Sequence, residues 1–225
     1  MHYISIDIET TGLDSDFNQI LSIGAVIEDT NNLVPFEELP KFHAVIKREN
    51  VYGSIFALNL NKDLIQVMKD YSEAKTDDAK KQVENSFGAK FYDEDEVVEA
   101  LYQFCYRNGL VNRYPGFLNR QMKIVDGISY PILCANMVKT YLNCAGKNFA
   151  GFDKKFLEKL PRWKQVFSIR SRVLDPGILF VDWINDESIP SLDECKRRAG
   201  IEGIVTHNAV EDAMDVVKLI RQINK

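Results

Sequence analysis

The sequence predicts an α/β domain in which a mixed sheet, an antiparallel meander followed by parallel strands, is flanked by helices. Three strand-like segments follow one another within the first 47 residues. The middle of the chain, from residue 61 on, is helical in composition. The C-terminal third alternates short strands with helices, which is typical of parallel strands joined by helices. We therefore expect one domain over residues 1–225, with an elaborated helical and loop insertion at about 60–131.

The first strands are predicted from their apolar patterns. Residues 3–9 alternate, with Tyr3, Ser5, Asp7 and Glu9 on one side and three isoleucines on the other. This period of two indicates a strand. Residues 19–28 are apolar with little alternation, as in a central strand covered on both faces. Residues 41–47 predict a third strand and complete the meander.

The middle segment contains helices and a long loop. Residues 61–87 are polar and rich in Lys, Asp, Glu and Ala, which predicts one or two surface helices. Residues 93–108 have an apolar stripe and end at Asn108-Gly109, which predicts a further helix. Residues 112–131 contain two prolines and two glycines, and we expect an irregular loop there that forms a lid near the active site.

Five elements are expected in the C-terminal third. A short strand at 147–152 precedes a helix at 153–160 that Pro161 stops, and a strand at 172–174 follows. Ser191 is expected to cap a helix that runs to Ala199, with Glu194 at the capping-box position and Gly200 beyond its end. Residues 207–224 have the apolar side of a final helix.

Composition excludes some classes of protein. No stretch of eighteen apolar residues is present and the N-terminus has no secretory signal, so we expect no membrane association and a cytoplasmic location. The four cysteines form no CxxC pair, which favours reduced thiols over a disulfide or a zinc site. They are Cys105, Cys134, Cys144 and Cys195.

The net charge of −5 is unusual for a protein that binds nucleic acid, because phosphates favour a basic face. Bound metal ions would offset some of the acidic residues. Basic residues also concentrate in the C-terminal third, which predicts a positive surface there, although solvated helix faces explain each single lysine or arginine equally well. They are Lys154, Lys155, Lys159, Arg162, Lys164, Arg170, Arg172, Lys196, Arg197 and Arg198.

Asp7 and Glu9 are the first candidates for chemistry. Two positions apart on a strand, their side chains leave the same face. Two like charges on a buried strand are costly unless a cation lies between them, and carboxylates suit Mg²⁺ or Mn²⁺. The alternative is an edge strand with solvated acids.

Three more residues extend this candidate set. Asp153 follows an apolar segment and begins a helix, where α/β folds place ligands, although an N-cap role is the simpler explanation of this residue alone. His207 and Asp212 are five residues apart, so both can face one site only if His207 lies at or before the start of the last helix. A general base that approaches an attacking water suits that position.

Three segments resemble the three motifs of the DEDDh exonucleases, within the ribonuclease H-like superfamily. Asp7-Ile8-Glu9-Thr10-Thr11-Gly12-Leu13 matches the first motif, residues 148–157 the second and residues 207–212 the third, in the family's order. The second segment is more similar to oligoribonuclease than to the proofreading exonucleases. The resemblance covers residues 3–30 and about 145–224.

The resemblance implies the ribonuclease H-like sheet and a two-metal-ion 3′→5′ exonuclease. Asp7, Glu9, Asp153 and Asp212 would bind two divalent cations, Mg²⁺ or Mn²⁺, and His207 would be the general base. Thr10, Thr11, Gly12 and Leu13 would contact the terminal nucleotide, with a plain core position as the alternative for Leu13. The expected substrate is the 3′ end of single-stranded DNA or RNA, and the expected product is a nucleoside 5′-monophosphate. Asp175, Glu211 and Asp215 are expected to be structural or surface residues.

Two other functions remain open from the sequence. One is a non-catalytic nucleic-acid-binding or polymerase-associated module, and the other is a small-nucleotide phosphodiesterase with the same fold. The intact set of five site residues argues against the first. The sequence does not distinguish DNA from RNA, and it leaves both a homodimer and an association with replication or repair proteins open.

Overall fold

The computed structural model describes residues 1–111, 122–125, 128–131, 140–203 and 205–223. The described strands are β1 (His2–Thr10), β2 (Ile20–Asp29), β3 (Lys41–Ile46), β4 (Lys90–Tyr92), β5 (Met122–Val125), β6 (Ile128–Pro131), β7 (Thr140–Leu142), β8 (Cys144–Ala145) and β9 (Phe167–Ile169). The described helices are α1 (Ile55–Leu60), α2 (Lys62–Glu73), α3 (Asp77–Phe87), α4 (Val97–Arg107), α5 (Asp153–Leu157), α6 (Trp163–Val166), α7 (Pro176–Leu179), α8 (Leu192–Ala199) and α9 (Ala209–Ile223).

Five of the described strands form the main sheet, in the order β4-β3-β2-β1-β8. β1, β2 and β3 pair antiparallel, whereas β4 runs parallel to β3 and β8 runs parallel to β1. The predicted mixed sheet, with its meander and parallel strands, is therefore confirmed. The register places Asp7 opposite Gly24 and Gly24 opposite His43, so all three lie on one face of the sheet.

The two faces of β1 are covered by different helices. The isoleucines Ile4, Ile6 and Ile8 pack in a core with α4 and α5. Tyr3 lies on the opposite face, in a core with α9. The predicted alternation of β1 is confirmed, and it directs Asp7 and Glu9 to the face on which α9 lies.

The predicted surface helices of residues 61–87 are confirmed as two helices, α2 and α3. Leu64 and Met68 of α2 pack against Leu21 and Val45 of the sheet, although most of the helix is exposed. The short α1 and β4 were not predicted. The Ser54 hydroxyl caps α1 by accepting a hydrogen bond from the Ala57 N–H, a local signal that the exposed apolar residues of α1 obscure.

The loop predicted at 112–131 is wrong over its second half. β5 and β6 pair antiparallel as a hairpin. The Asp126-Gly127 dipeptide between two strand-forming segments is the sequence signal for such a hairpin. Residues 112–121, and with them most of the predicted lid, lie outside the described residues.

The strand predicted at 147–152 is also wrong. The strand is β8, at 144–145, and residues 147–152 form turns. Asn148 has a left-handed backbone, with a φ of 57°, which a strand cannot contain. The predicted helix at 153–160 ends at Leu157, and the predicted strand at 172–174 is reduced to a single bridge between Leu174 and Ala145.

The last two helices agree with prediction. The Ser191 hydroxyl accepts a hydrogen bond from the Glu194 N–H, and Gly200 ends α8 with a φ of 66°. α9 begins at Ala209, so His207 precedes it. Cys105, Cys144 and Cys195 are free thiols, and Cys134 lies outside the described residues. None of the helices in the described ranges combines the length and apolarity that crossing a membrane requires.

Candidate active site

Asp7 and Glu9 lie side by side on the α9 face of β1. Glu9 is 7% exposed and Asp7 is partly exposed. β1 is interior to the sheet, between β2 and β8, which rules out the alternative of an edge strand with solvated acids. The pairing with β2 shifts register between Glu9 and Thr10, so the regular ladder ends where the first motif turns away from the sheet.

Asp153 joins this pair from the first turn of α5. Its Oδ1 accepts a hydrogen bond of 3.2 Å from the N–H of Ile8, the residue between the two acids of β1. The turn before α5 is held in place by Asp175, whose carboxylate accepts the Asn148 N–H at 2.9 Å and pairs with Lys147. The structural role predicted for Asp175 is confirmed. An N-cap role alone does not explain Asp153, because its carboxylate also bonds to the Ile8 N–H of β1.

Asp212 reaches the same place from α9. Its side chain is 5% exposed, and its Oδ1 is buried without a hydrogen-bond partner among the described residues. An uncompensated oxygen at this depth is costly, whereas a bound cation would satisfy it. The unpartnered Oδ1 of Asp212 therefore fits a metal site.

His207 lies two residues before α9, as predicted, and it is exposed. Its φ of 53° is a left-handed conformation that most residues with a side chain avoid. A ring nitrogen of His207, a carboxylate oxygen of Glu9 and one of Asp212 all lie within 4.8 Å of one another. The backbone turn thus brings the imidazole to the exposed side of the buried acids.

The carboxylates strongly perturb one another. Burial and the charges of Asp153, Glu9 and Asp212 raise the pKa of Asp7 well above its usual range. Burial, followed by repulsion from Asp212, raises the pKa of Glu9 to about 8. Burial likewise raises the pKa of Asp153 to about 7. Four acids that resist ionisation together form a site for positive charge.

Asp215 lies one helical turn beyond Asp212 and is 5% exposed. It pairs with Lys196 of α8, which is also buried, and with Lys218 at 2.6 Å. Burial first, and then the charge of Asp215, raise the pKa of Asp212 to about 7, whereas Lys196 lowers it. Asp215 was predicted only to be a structural or surface residue, and its charge cluster was not predicted. The i,i+3 spacing of Asp212 and Asp215 was the available signal.

Gly24 and Asn61 are two further residues that sequence reasoning missed. A Cβ at position 24 would lie 2.0–2.2 Å from backbone atoms of Ala209 and Val210, so only glycine lets α9 approach β2 there. The Asn61 amide donates to the Thr10 carbonyl at 3.2 Å and fastens α2 to the turn after Glu9. A hydrogen bond from Asn61 also lowers the pKa of Glu9, against the dominant effect of burial.

The residues predicted to contact the terminal nucleotide form the turn after β1. Thr10 and Thr11 are buried, and their hydroxyls bond within the turn, to the Gly12 carbonyl at 2.8 Å and to the Gln19 N–H at 2.9 Å. Gly12 packs on the Asn18 side chain. Leu13 is 86% exposed, so the alternative of a core position for Leu13 is wrong.

The donor set fits divalent cations. Carboxylate oxygens and one imidazole nitrogen are the ligands that such ions accept in proteins. Glu9, His207 and Asp212 could together hold one metal ion. Asp7 and Asp153 provide two further carboxylates close to this group, since Asp153 bonds to the Ile8 N–H and the charges of Asp153, Glu9 and Asp212 all act on Asp7. An imidazole nitrogen that binds a metal cannot also accept a proton, so in any one state His207 is either a ligand or a base.

Known structures share this fold at low sequence identity. Exonuclease I of E. coli, solved in complex with a dT13 oligonucleotide, has a TM-score of 0.55 and 12% identity over 100% of this chain and 41% of its own. Exonuclease I from Methylocaldum szegediense has a TM-score of 0.55 and 13% identity over 99% of this chain and 40% of its own. Cell-death related nuclease 4 (CRN-4) has a TM-score of 0.52 and 11% identity over 99% of this chain and 64% of its own.

These similarities show the fold, which agrees with the ribonuclease H-like sheet that the motifs imply. The chain spans about 40% of the length of the exonuclease I chains that it matches. No protein-family model and no curated protein matches it.

Proposed function

We propose that this protein is a divalent-metal-dependent 3′→5′ exonuclease that releases nucleoside 5′-monophosphates from single-stranded DNA or RNA. One observation carries the proposal. Four acids and a histidine from three distant segments, at residues 7–9, 153 and 207–212, meet near the C-terminal end of β1. They do so on a fold shared with several nucleases.

The acids would hold two divalent cations, Mg²⁺ or Mn²⁺. Asp7, Glu9 and Asp212 would bind one ion, and Asp7 with Asp153 the other. When bound, the ions supply Lewis-acid stabilisation of the phosphate and lower the pKa of water. The unpartnered Oδ1 of Asp212 and the raised pKa values of the acids support this assignment. A bound cation would give that oxygen a partner and would lower the pKa values of the acids.

His207 would accept the proton of the attacking water. Its exposed position at the edge of the buried acids gives it access to a water on the solvent side, while the left-handed backbone holds the imidazole near Glu9 and Asp212. Asp212 is held within a regular helix, so its carboxylate can bind a metal ion but cannot move with the attacking water. This division of roles follows from where the two residues lie relative to the start of α9.

The turn after β1 would hold the 3′-terminal nucleotide. Thr10 and Thr11 use their hydroxyls to shape the turn, so contacts from it to the sugar would come mainly from backbone groups. Leu13 projects into solvent and would pack against the terminal base. That exonuclease I of E. coli was solved with single-stranded oligonucleotides supports a single-stranded substrate.

A comparison of two substrates tests the proposal. A single-stranded oligomer and a nucleoside 5′-phosphate aryl ester are supplied side by side with Mg²⁺, and the products are separated by chromatography. The proposal expects nucleoside 5′-monophosphates from the oligomer. Hydrolysis of the ester alone would favour a small-nucleotide phosphodiesterase, and binding without hydrolysis would favour a non-catalytic module.

A further inference from the structure

An exposed surface joins the turn of the first motif to the helix of the second. Phe17, in the turn after β1, is 74% exposed. Its neighbour Asp16 forms an ion pair with Lys159, which lies just beyond α5. This ion pair joins two segments whose paired residues are 143 positions apart. One segment is the turn that follows Glu9, and the other begins at Asp153.

The turn that carries Phe17 is rigidly built. The Asp14 carbonyl accepts hydrogen bonds from the N–H groups of Phe17 and Asn18, at 3.1 and 2.8 Å. The Asn18 side chain accepts the Asp14 N–H and fills the space beside Gly12. An aromatic ring that such a turn holds out in solvent does not contribute to the core.

The segment that begins at α5 is rich in basic residues. Residues 153–172 contain seven basic residues and two acidic ones, Asp153 and Glu158, in a chain of net charge −5. Lys154 pairs with Glu158, but Lys155 is exposed and has no ion pair among the described residues. Lys159, two residues beyond the end of α5, is exposed as well and has the exposed Asp16 as its partner.

We propose that Phe17, Lys155 and Lys159 form a second contact surface for an unpaired nucleic-acid strand, which binds nucleotides beyond the terminal one. The inference rests on the proposed function and specifies its substrate: strands of several nucleotides, preferred over dinucleotides. Aromatic stacking beside positive charge is the usual combination for single strands. The ion pair between Asp16 and Lys159 is exposed, so replacing the carboxylate by a phosphate costs little.

The test compares Lys155→Gln/Lys159→Gln with a matched control, Lys69→Gln/Lys81→Gln. The control pair also contains one ion-paired lysine, on α2, and one exposed lysine, on α3, that has no ion pair within the described part of the chain. Binding of a labelled strand of about twenty nucleotides is measured by anisotropy in EDTA at several salt concentrations. Each lost phosphate contact lowers the slope of log K against log salt by about 0.7, so we expect a slope about 1.4 smaller for the first pair only.

Phe17 is tested separately. Phe17→Ser is expected to weaken binding of the long strand about tenfold, the scale of one base stacked on an aromatic ring, and Phe17→Tyr is expected to retain it. For both the lysine pair and Phe17→Ser, the rate on a dinucleotide is expected to stay within about twofold of wild type, which a general loss of structure would not allow.

The outcomes separate this surface from the proposed function. The proposed surface is refuted, whatever the activity, if the Lys155→Gln/Lys159→Gln variant binds the strand with the wild-type salt slope. It is also refuted if the control variant shows the same change in slope. If the wild type hydrolyses nothing but the salt slope changes as expected, the surface stands and the exonuclease proposal fails.

Discussion

Gly24 of β2 lies directly beneath Ala209, the first residue of α9. A Cβ at position 24 would lie 2.0 Å from the Ala209 carbonyl carbon. Gly24 is also the strand partner of Asp7. This one contact therefore sets the spacing between the strand that carries Asp7 and Glu9 and the helix that carries Asp212.

We expect Gly24→Ala to damage both stability and activity. The added methyl must displace the first turn of α9, and overpacking of this kind costs about 1–3 kcal/mol of unfolding free energy. A displacement of about 1 Å at a catalytic group can cost 100-fold in rate. Urea unfolding and kcat of the folded variant measure the two effects.

Val26→Ala is the matched control. Val26 is buried on the same strand and face, in a core that it shares with Ala213 and Val217 of α9. It should lose comparable stability and keep most of its activity. A Gly24→Ala variant with near wild-type kcat would show that this spacing does not position the site.

The first three strands and the candidate site residues were predictable because their signals are local. The alternation of residues 3–9 is sufficient to direct Asp7 and Glu9 to one face, and the chain order of the three motifs identifies Asp153, His207 and Asp212. A cap and a terminal glycine define α8 in the same way. The structure adds the three-dimensional arrangement of these residues.

The missed features depend on contacts between distant segments. Nothing around Gly24 indicates that a helix from residue 209 approaches it, and nothing near Asp215 indicates a buried lysine from position 196. The short β8 was misplaced because Phe149 and Phe152 suggest a strand, whereas the left-handed Asn148 and the tight packing at Gly146 require turns. Tertiary packing overrides local preference at these positions.

The stability of the metal-free protein should depend on pH. Glu9 has a pKa of about 8 and Asp153 and Asp212 of about 7, compared with about 4 in an unfolded chain. Between pH 4 and 8 the folded state thus binds more protons than the unfolded chain, so the free energy of unfolding falls as pH rises. We expect the Tm in EDTA to fall from pH 5 to 8, and saturating Mg²⁺ to remove most of this fall.

The Tm of Asp7→Asn provides a second test of the same electrostatic effect. Removing one charge relieves the repulsion, so the metal-free variant should have a higher Tm than wild type at pH 8, by about 2–4 °C for each kcal/mol gained. It should also lose much of the stabilisation by Mg²⁺. A wild-type Tm that does not change between pH 5 and 8 in EDTA would refute the electrostatic account of the site.

His207→Asn should separate chemistry from folding. Asparagine tolerates the left-handed backbone at this position but cannot act as a general base. We expect kcat to fall about 10²- to 10⁴-fold with little change in Tm. A folded His207→Asn variant whose kcat stays close to that of wild type would exclude this role.

Lys196→Met should be strongly destabilising. It leaves the buried carboxylate of Asp215 with Lys218 as its remaining ion-pair partner, and breaking a buried pair costs about 3–5 kcal/mol. We expect the lower end of that range. The double variant Lys196→Met/Asp215→Asn should recover part of the loss in a double-mutant cycle measured by urea unfolding. Strictly additive losses would show that the two side chains do not interact.

The most direct test of the proposed metal-dependent hydrolytic centre is a time course on 5′-labelled single-stranded DNA and RNA with Mg²⁺, for wild type and Asp7→Asn. We predict that wild type shortens at least one of the strands one nucleotide at a time, that EDTA stops the reaction, and that Asp7→Asn is slower by about 10³-fold or more. Failure of the folded, metal-supplied wild type to shorten either strand would contradict the account, and so would an equal ladder from Asp7→Asn.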